Sequence, residues 1–573
     1  MAIIGIDLGT TNSLAAVYRN GRVELIPNSL GEFLTPSVVS IGEDGQVYVG
    51  KIAKEMLITR PECTFQEFKR NMGTDHVYLA HGREYRAEEL SALVLRSLKE
   101  DAERFLREPV NEAVISVPAY FNDDKRCATK NAGALAGFTV ERLINEPSAV
   151  ALKHHMENES MENFLIFDFG GGTLDVSMVE AFDNMVEIRA VSGDNYLGGK
   201  DFNELIAEAF YRENGLEKVQ FSPEEQGIVL QEAEQLKRML SRRNQADRTF
   251  RLGGTEYTMK MSNQQLIHIS AELFKRMTLP MKRVLNDSGM TWDEIDQVIL
   301  AGGSSKMPVV RQYIQSVAEA SVVVDDRPDE SIALGVGLAA AIKARMGDIR
   351  DMVLSDICPF SLGVELYDGT FSPIIERNDT LPCSRSRIYS TTTDFQEGME
   401  FRIYQGENVM VKDNLLLGTL AIEGLPKMKA GEVSAVATFL YDINGILDIH
   451  VERQGQSVHK VILNRNIGLN EEQLKEKLQE LNHMAMYPKG KERDRLLIER
   501  AQRMYMESTG QVRESLEQEI RWYKSLLSFG KEKEIRQGFV RLLLYLESLE
   551  QNQVTFEEFR EDFFREENSD FEE

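Results

Sequence analysis

The sequence predicts a multidomain protein: a duplicated α/β domain over 1–350, a short linker over 351–357, an all-β domain over 358–467 and a helical segment with an acidic tail over 468–573. Three observations predict it. Up to about residue 350, short β-type runs alternate with helical ones, the rhythm of α/β architecture. From Cys358 to Arg465, alternating segments are separated by Gly, Pro, Asp and Asn turns. From Leu469 onward, leucines recur at helical spacing among charges. A length of 573 residues agrees with more than one core.

Each element follows from its pattern. Ala113–Val117 and Phe164–Phe167 read as buried strands, and Leu90, Leu93, Val94, Leu98, Ala102 and Phe105 line one face of a helix from about Ala87 to Leu106, ended by Pro109. In the β region, Glu400–Tyr404 and Ile446–Val451 alternate as strands, and Asp442-Ile443-Asn444-Gly445 carries the Asn-Gly signal of a tight hairpin. Leu474, Leu478 and Leu481, then Phe539, Leu542, Leu543, Leu546 and Leu549, mark amphipathic helices, and the acid-rich end from Glu557 reads as a solvated tail. The linker Asp351–Asp356 is apolar between acids, without Gly or Pro. A free spacer would be polar and glycine-rich, so this one is expected to dock.

Composition excludes several function classes. With 92 acidic against 66 basic side chains the net charge is −26, which repels a polyphosphate backbone, so no nucleic-acid partner is expected. Cys63, Cys127, Cys358 and Cys383 lie far apart without CxxC spacing and read as free thiols of a reducing compartment. The first residues lack the basic region of a signal peptide, and the longest apolar run, Ile332–Ile342, is too short for a membrane span. A cytoplasmic protein with no membrane partner is the expectation.

The chemistry sits in two repeats. Ile6-Asp7-Leu8-Gly9-Thr10-Thr11 and Phe167-Asp168-Phe169-Gly170-Gly171-Gly172-Thr173 both run apolar, Asp, apolar, Gly, then small residues ending in Thr. Glycines let backbone N–H groups approach an anion and threonines add hydroxyl donors, so two such turns facing one another can grip a polyphosphate from both sides. Its charge would oppose Asp7, Asp168 and Asp175, which implies Mg²⁺ held by these hard oxygen ligands, chiefly through waters. A third cluster, Leu300-Ala301-Gly302-Gly303-Ser304-Ser305-Lys306-Met307-Pro308, follows an apolar strand and reads either as bare backbone for a base and ribose or as an ordinary strand-to-helix turn. Gly45–Lys51 mimics a Walker A loop, but Ile52 stands where Ser or Thr belongs and no long helix clearly follows; nor does a GxGxxG follow the first strand.

Together the three clusters resemble the nucleotide domain shared by actin, the sugar kinases and the DnaK-type heat-shock chaperones of the seventy-kilodalton class. Val117-Pro118-Ala119-Tyr120-Phe121-Asn122-Asp123, Ile144–Ala149, Asp168–Asp175 and Leu197-Gly198-Gly199 with Asp201-Phe202 resemble signature strings of the DnaK-type family, and linker, β region and helical end follow in the same order. The resemblance implies an actin-like ATPase domain, a peptide-binding sandwich and a helical lid. It implies phosphate contacts from Gly9, Thr10, Thr11, Asn12, Gly170, Gly171, Gly172, Thr173, Gly198 and Gly199, and adenosine contacts from Glu234, Lys237, Arg238, Ser241, Gly302, Gly303, Ser304 and Lys306. Lys69 is implied beside the γ-phosphate, with Asp7, Glu146, Asp168 and Asp175 arranging Mg²⁺, its waters and the nucleophile; Asp7 and Asp168 would hold the metal through water, and K⁺ would be a further cation. Pro118, Arg126 and Asp356 would couple nucleotide to linker.

The resemblance further implies an ATP-dependent chaperone, an ATPase that binds and releases extended client peptides and works with a J-domain co-chaperone. The groove would be lined by Val364, Leu366, Tyr367, Tyr389, Thr392, Met399 and Phe401; for Phe401 the core of the sandwich is an equal reading. The chain departs from the family in several places. The stretches between Lys69 and Pro118 and between Ser241 and Gln264 are short where a GrpE-type nucleotide exchange factor commonly engages, so dependence on that partner is not implied. Ser355 replaces a linker leucine, Lys200 a Glu, and Lys306 an Arg. Tyr367 and Thr392 occupy the positions that bridge over the peptide. These departures, with Cys358-Pro359-Phe360 and the truncated C-terminus, resemble the specialised HscC-like bacterial branch. Two alternatives stay open on the residues: a nucleotide-gated interaction protein for a dedicated partner, and a phosphotransferase of the actin and sugar-kinase fold.

Overall fold

The computed structural model describes residues 2–157, 162–453, 456–462, 471–508 and 510–550. The expected tail from Glu557 lies outside the described residues. Two sheets repeat one topology. In the first, Thr139–Asn145 and Glu112–Val117 lie parallel to Ile3–Asp7, which continues antiparallel through Asn12–Arg19 and Arg22–Ile26. In the second, Ser321–Val324 and Gln297–Ala301 lie parallel to Asn163–Phe169, followed antiparallel by Leu174–Phe182 and Met185–Asp194. The duplication read from two Asp-Gly strings is thus matched strand for strand.

Between the sheets cross the helices Glu146–Glu157 and Ser331–Lys343. They approach closely because small residues meet: a β-carbon on Gly335 would fall 1.9 Å from Ala149 O, and one on Gly5 2.5 Å from Gly337 N. Each half also carries a peripheral piece. The first has the sheet of Val38–Ile41, Gln46–Val49 and Thr64–Gln66 with the helices Lys51–Thr59 and Ala87–Leu106; the second has the hairpin Gln245–Leu252 and Thr255–Ser262 with the helices Gly199–Glu213 and Pro223–Leu240. The helix over Ala87–Leu106 matches its periodicity, burying Leu90, Leu93, Val94, Leu98 and Ala102. One sequence expectation is corrected: a helix does follow Gly45–Gly50, beginning at Lys51. The segment is still no phosphate loop, because Gln46–Val49 is a strand.

The β region forms two four-stranded sheets, ordered Phe371–Ile375, Leu362–Glu365, Gly398–Gln405, Leu415–Glu423 and Cys383–Ser390, Ser434–Tyr441, Leu447–Arg453, Gln456–Ile462. They close on one core that includes Leu362, Ile375, Ile403, Ala437, Phe439 and Ile449. The linker strand Val353–Ile357 is the seam. It pairs parallel with Met185–Glu187 of the second sheet and antiparallel with Thr380–Leu381 of the β region, so the expected docking occurs.

The helical end consists of Glu471–Asn482, Glu492–Glu507, Gly510–Phe529 and Glu532–Glu550, the last three packed around Leu497, Ala501, Leu516, Tyr523, Leu542 and Leu546. Its helical character is interrupted: Ala485–Met486 is a strand, paired parallel with Gln46–Val47. No described helix is long and apolar enough to cross a membrane.

Candidate functional site

The cleft lies where the first strands of the two duplicated sheets end. Asp7 closes one, Asp168 sits near the end of the other, and Asp175 pairs with Asp168 across the antiparallel turn. All three are buried. Ser116 Oγ donates to Asp7 Oδ1 at 2.9 Å, and Tyr120 N donates to Asp175 Oδ1 at 3.4 Å. Glu146 starts its helix beside them and pairs with Lys69, Nζ to Oε1 at 2.6 Å, both side chains buried. Burial, then the nearby Glu146, push Asp7 and Asp175 up to about 7, and Asp168 is raised well above the usual carboxylate range by burial, Glu146, Asp175 and Asp7. Four buried carboxylates thus surround one ammonium, a charge balance that suits an added divalent cation. Among the described residues no group of three or more His, Cys, Asp or Glu side chains is spaced to ligate a metal directly.

The glycine turns meet across the cleft. A β-carbon on Gly171 would lie 1.9 Å from Thr11 Oγ1, and one on Gly198 2.4 Å from Gly172 N, so three glycine strings from different parts of the chain share one small space. Gly170 N donates to Thr173 O at 3.1 Å, closing the second turn, while Gly9 packs on Asn12 and Gly172 on Thr10. Thr10 is buried and Thr11 exposed at the rim.

The third cluster joins from the second half. Gly302, at φ 78°, stands so close to Asp168 that a β-carbon would lie 2.5 Å from Oδ1. Gly303–Lys306 forms one turn of 3₁₀-helix; Ser304 packs on Gly199, and Lys306 pairs with Asp329. Lys237 Nζ donates to Gly199 O at 2.6 Å, and burial lowers this ammonium to about 8. Glu234 holds Arg238 at 2.7 Å and reaches Lys54 of the opposite half at 3.7 Å; Ser241 caps the same helix, its Oγ donating to Lys237 O. The turns at Gly9–Asn12 and Gly170–Thr173, the pair Gly198–Gly199 and the turn Gly302–Lys306 thus lie against one another, and Lys237 ties the helix Pro223–Leu240 to them.

Sequence reasoning missed Arg70. Its Nη2 donates to Gly172 O at 2.6 Å and approaches Asp201 at 3.7 Å, tying the halves together. The available signal was its place directly after Lys69. Lys200, one of the departures, pairs with Glu67 at 2.6 Å and adds a second tie.

Pro118, Arg126 and Asp356, to which the resemblance gives a coupling role, are placed as follows. Pro118 is buried, its carbonyl accepting from Phe121 N. Arg126 donates to Phe121 O, Ala119 O and Asn145 Oδ1, and its side chain packs where a β-carbon on Gly445 of the β region would lie, 2.9 Å from Cδ. Next to it Asn444 Nδ2 donates to Glu141 O, Leu143 N donates to Asn444 Oδ1, and Tyr441 OH donates to Asp123. Asp356 accepts from Ser148 Oγ at 2.8 Å, on the helix that Glu146 begins.

The expected groove residues divide. Tyr367 is 87% exposed and Thr392 exposed on separate loops, with Leu366 half-buried. Val364, Met399 and Phe401 are buried in the core between the sheets, and Tyr389 stands edge-on to Phe401 at 5.8 Å, its hydroxyl 3.1 Å from Ser372 Oγ.

A family profile described as Hsp70 protein matches residues 3–557, nearly the whole chain. The cleft with its two facing glycine turns, the docked linker and the sandwich behind it therefore belong to a member of the Hsp70 family, whose proteins act in general as ATP-dependent chaperones.

Proposed function

We propose that this chain binds extended apolar peptide segments in the β region and releases them under control of slow ATP hydrolysis in the cleft. The observation that carries this reading is the position of Val353–Ile357, one strand shared between the sheet that bears the Asp168–Asp175 turn and the β region. Any change in the closure of the two halves is felt by that strand, and through it by the sandwich.

In the cleft, backbone N–H groups of the turns at Gly9–Asn12 and Gly170–Thr173 and the hydroxyls of Thr10, Thr11 and Thr173 would bind the phosphates. Lys69, fixed by Glu146, would stabilise charge on the transferring phosphoryl oxygens. Asp7 and Asp168 would hold Mg²⁺ through waters; the metal, when bound, offsets the charge of the phosphate oxygens. Asp175 and Glu146 would orient the attacking water and take its proton. Lys237, Glu234, Arg238, Ser241 and Gly302–Lys306 would hold the adenosine. Outside the cleft, Arg126 and Asp356 are the contacts that carry its state to the β region, which fits a two-state element biased by ligand. The groove would take a peptide by backbone pairing beneath Tyr367 and Thr392.

Release of a labelled peptide from the purified full chain, timed with and without ATP and Mg²⁺, tests the proposal. Acceleration by ATP·Mg²⁺ is expected. An unchanged rate with ATP bound would leave a nucleotide-gated partner protein, and turnover stimulated by sugars instead of peptide would indicate a phosphotransferase.

A further inference from the structure

The sandwich has an unclosed side. Cys383–Ser390 is the edge strand of one of its sheets and Phe371–Ile375 the edge strand of the other; the two touch but do not pair. Alternation puts Arg385 and Arg387 on the same face of their strand as Cys383 and Tyr389, opposite Phe439 and Ala437 of the core. Cys383 and Tyr389 pack against that core, yet the two arginines between them are exposed. A strand that only closed the sandwich would carry apolar residues at both positions.

The two arginines differ in what they hold. Arg385 has a carboxylate, Asp379 at 3.4 Å. Arg387 pairs with none among the described residues. Its Nη1 donates at 2.8 Å to Ser372 Oγ and at 2.8 Å to Pro373 O, both on the facing edge strand. Ser372 Oγ is in turn 3.1 Å from Tyr389 OH, and Ser372 stands opposite Val364 in its own ladder, so the guanidinium is fixed beside two residues of the expected groove. Nη1 is fully engaged. The Nε and Nη2 hydrogens, the side-on fork that matches a carboxylate, reach no carboxylate or carbonyl oxygen among the described residues. Elsewhere in the molecule that fork is filled: Arg248 takes Glu232, and Arg500 takes Glu550, through Nε and Nη2. A guanidinium anchored by one nitrogen with its fork free is pre-organised for a carboxylate that arrives from outside.

We propose that Arg387 makes the peptide site selective for acid: it binds a Glu or Asp side chain two residues from the apolar one in a client strand. This rests on the peptide-binding reading above and names the client class. The spacing follows from the strand, because Arg387 and Tyr389 are two residues apart on one face and an extended peptide beside them repeats that distance, about 7 Å. The same charge acts against other clients. An arginine on the inner face of an edge strand repels an incoming strand of basic residues, and a neutral one desolvates it without compensation. The net charge of the chain is −26, so its long-range field opposes an acidic peptide and a preference for one has to be local.

The test is the binding of fluorescein-labelled peptides to the full chain by anisotropy at fixed ionic strength. Each peptide is an apolar heptamer with a central leucine and Glu, Gln or Lys two residues to both sides of it. The Glu peptide should bind about tenfold tighter than the Gln peptide, the order of one charge-assisted hydrogen bond, and the Lys peptide weaker than either. Arg387→Gln should remove the difference between Glu and Gln, whereas Arg385→Gln, whose charge is already paired, should keep it. A parent that binds the Gln peptide and does not favour Glu overturns the proposal. So does an Arg387→Gln chain that melts like the parent and retains the preference, or an equal loss in Arg385→Gln, which would make the effect one of diffuse charge. Binding of none of the three peptides by the parent would sink the peptide-binding reading instead. Should Arg387→Gln melt early, the unaltered protein decides: phenylglyoxal modification of Arg387, followed by mass spectrometry, should be suppressed more by bound Glu peptide than by bound Gln peptide at equal occupancy, and equal protection refutes the assignment.

Discussion

The chain attaches two of its regions to the nucleotide-binding part by the same backbone device and different side-chain chemistry. The linker adds Val353–Ser355 in parallel to Met185–Glu187; the helical end adds Ala485–Met486 in parallel to Gln46–Val47. The linker strand is paired on both edges and anchored by the buried Met352 and Ile357, with Asp356 fixed by Ser148. The strand of the helical end, the lid that the resemblance implies, is paired on one edge. Its anchors are Leu481 and Met484, sunk in the core of the first half, Tyr487 against Tyr48 with centroids 5.0 Å apart, and ion pairs from Lys489 to Asp101 and Arg503 to Glu55. Main-chain pairing is generic, so side chains decide what each attachment responds to. The linker strand Val353–Ile357, neutral apart from the buried Asp356, is expected to respond to the shape of the sheet. The lid responds to charge.

The largest expected effect is on the lid. Leu481 is fully buried among nucleotide-domain side chains, and Leu481→Ala should cost about 2–5 kcal/mol of attachment. Resonance energy transfer between labels on the lid bundle and on the helix Lys51–Thr59 should fall while the ATP affinity stays unchanged; an unaltered signal would show that the strand holds without its anchor. Asp356→Ala comes next, at roughly 1–3 kcal/mol for an unsatisfied buried hydroxyl at Ser148. Here the lid signal should persist and the acceleration of peptide release by ATP should weaken. Loss of both signals together would mean that the two attachments are one cooperative unit.

The linker was legible in the sequence and the lid strand was not, for a physical reason. Asp351–Asp356 is an apolar stretch without turn residues, a local pattern with a local meaning. Ala485–Met486 is two residues long, too short for alternation to show, and it is fixed by Gln46, whose side chain donates to Ala485 O at 2.6 Å from a position remote in sequence. The same division runs through the site. The turns at Asp7 and Asp168 were readable because glycine and threonine spacing is local. Arg70 was not, because what makes it notable is a carbonyl and a neighbouring charge brought in by the fold. The hairpin at Asp442–Gly445 was legible as a turn, with Gly445 at φ 71°, but its role against Arg126 and Leu143 is a tertiary fact.

Arg503 sharpens the contrast at a smaller scale. It bonds Glu55 of the nucleotide part at 2.6 Å and also Glu507 and Glu550 within the bundle, and its side chain is only 11% exposed. Arg503→Ala should loosen the lid by about 1–2 kcal/mol, less than a fully buried pair because the carboxylates keep some solvent. Raising the salt concentration should weaken attachment in the parent more than in the variant; equal salt slopes would remove Arg503 from the charge response.

The smallest expected effect is one of pH, and its sign follows from two lid carboxylates. Burial, opposed by Lys489 and reinforced by Asp101, pushes Glu492 up to about 7. Burial, opposed by Arg503 and reinforced by Glu232 and Glu55, does the same to Glu507. Asp101, Glu55 and Glu232 belong to the nucleotide part, so much of this environment exists only when the lid is attached. An attached state with raised carboxylate pKa values binds more protons than the detached one. Its stabilisation is complete below the ordinary glutamate value near 4.5 and is lost as pH rises through about 7. Lid attachment should therefore be stronger at pH 6 than at pH 8 by the energy-transfer signal, and the double variant Glu492→Gln, Glu507→Gln should flatten the profile. A signal that is constant, or that grows toward pH 8, would show that these carboxylates keep their solvent in the attached state and that the lid's charge response lies in its permanent ion pairs alone.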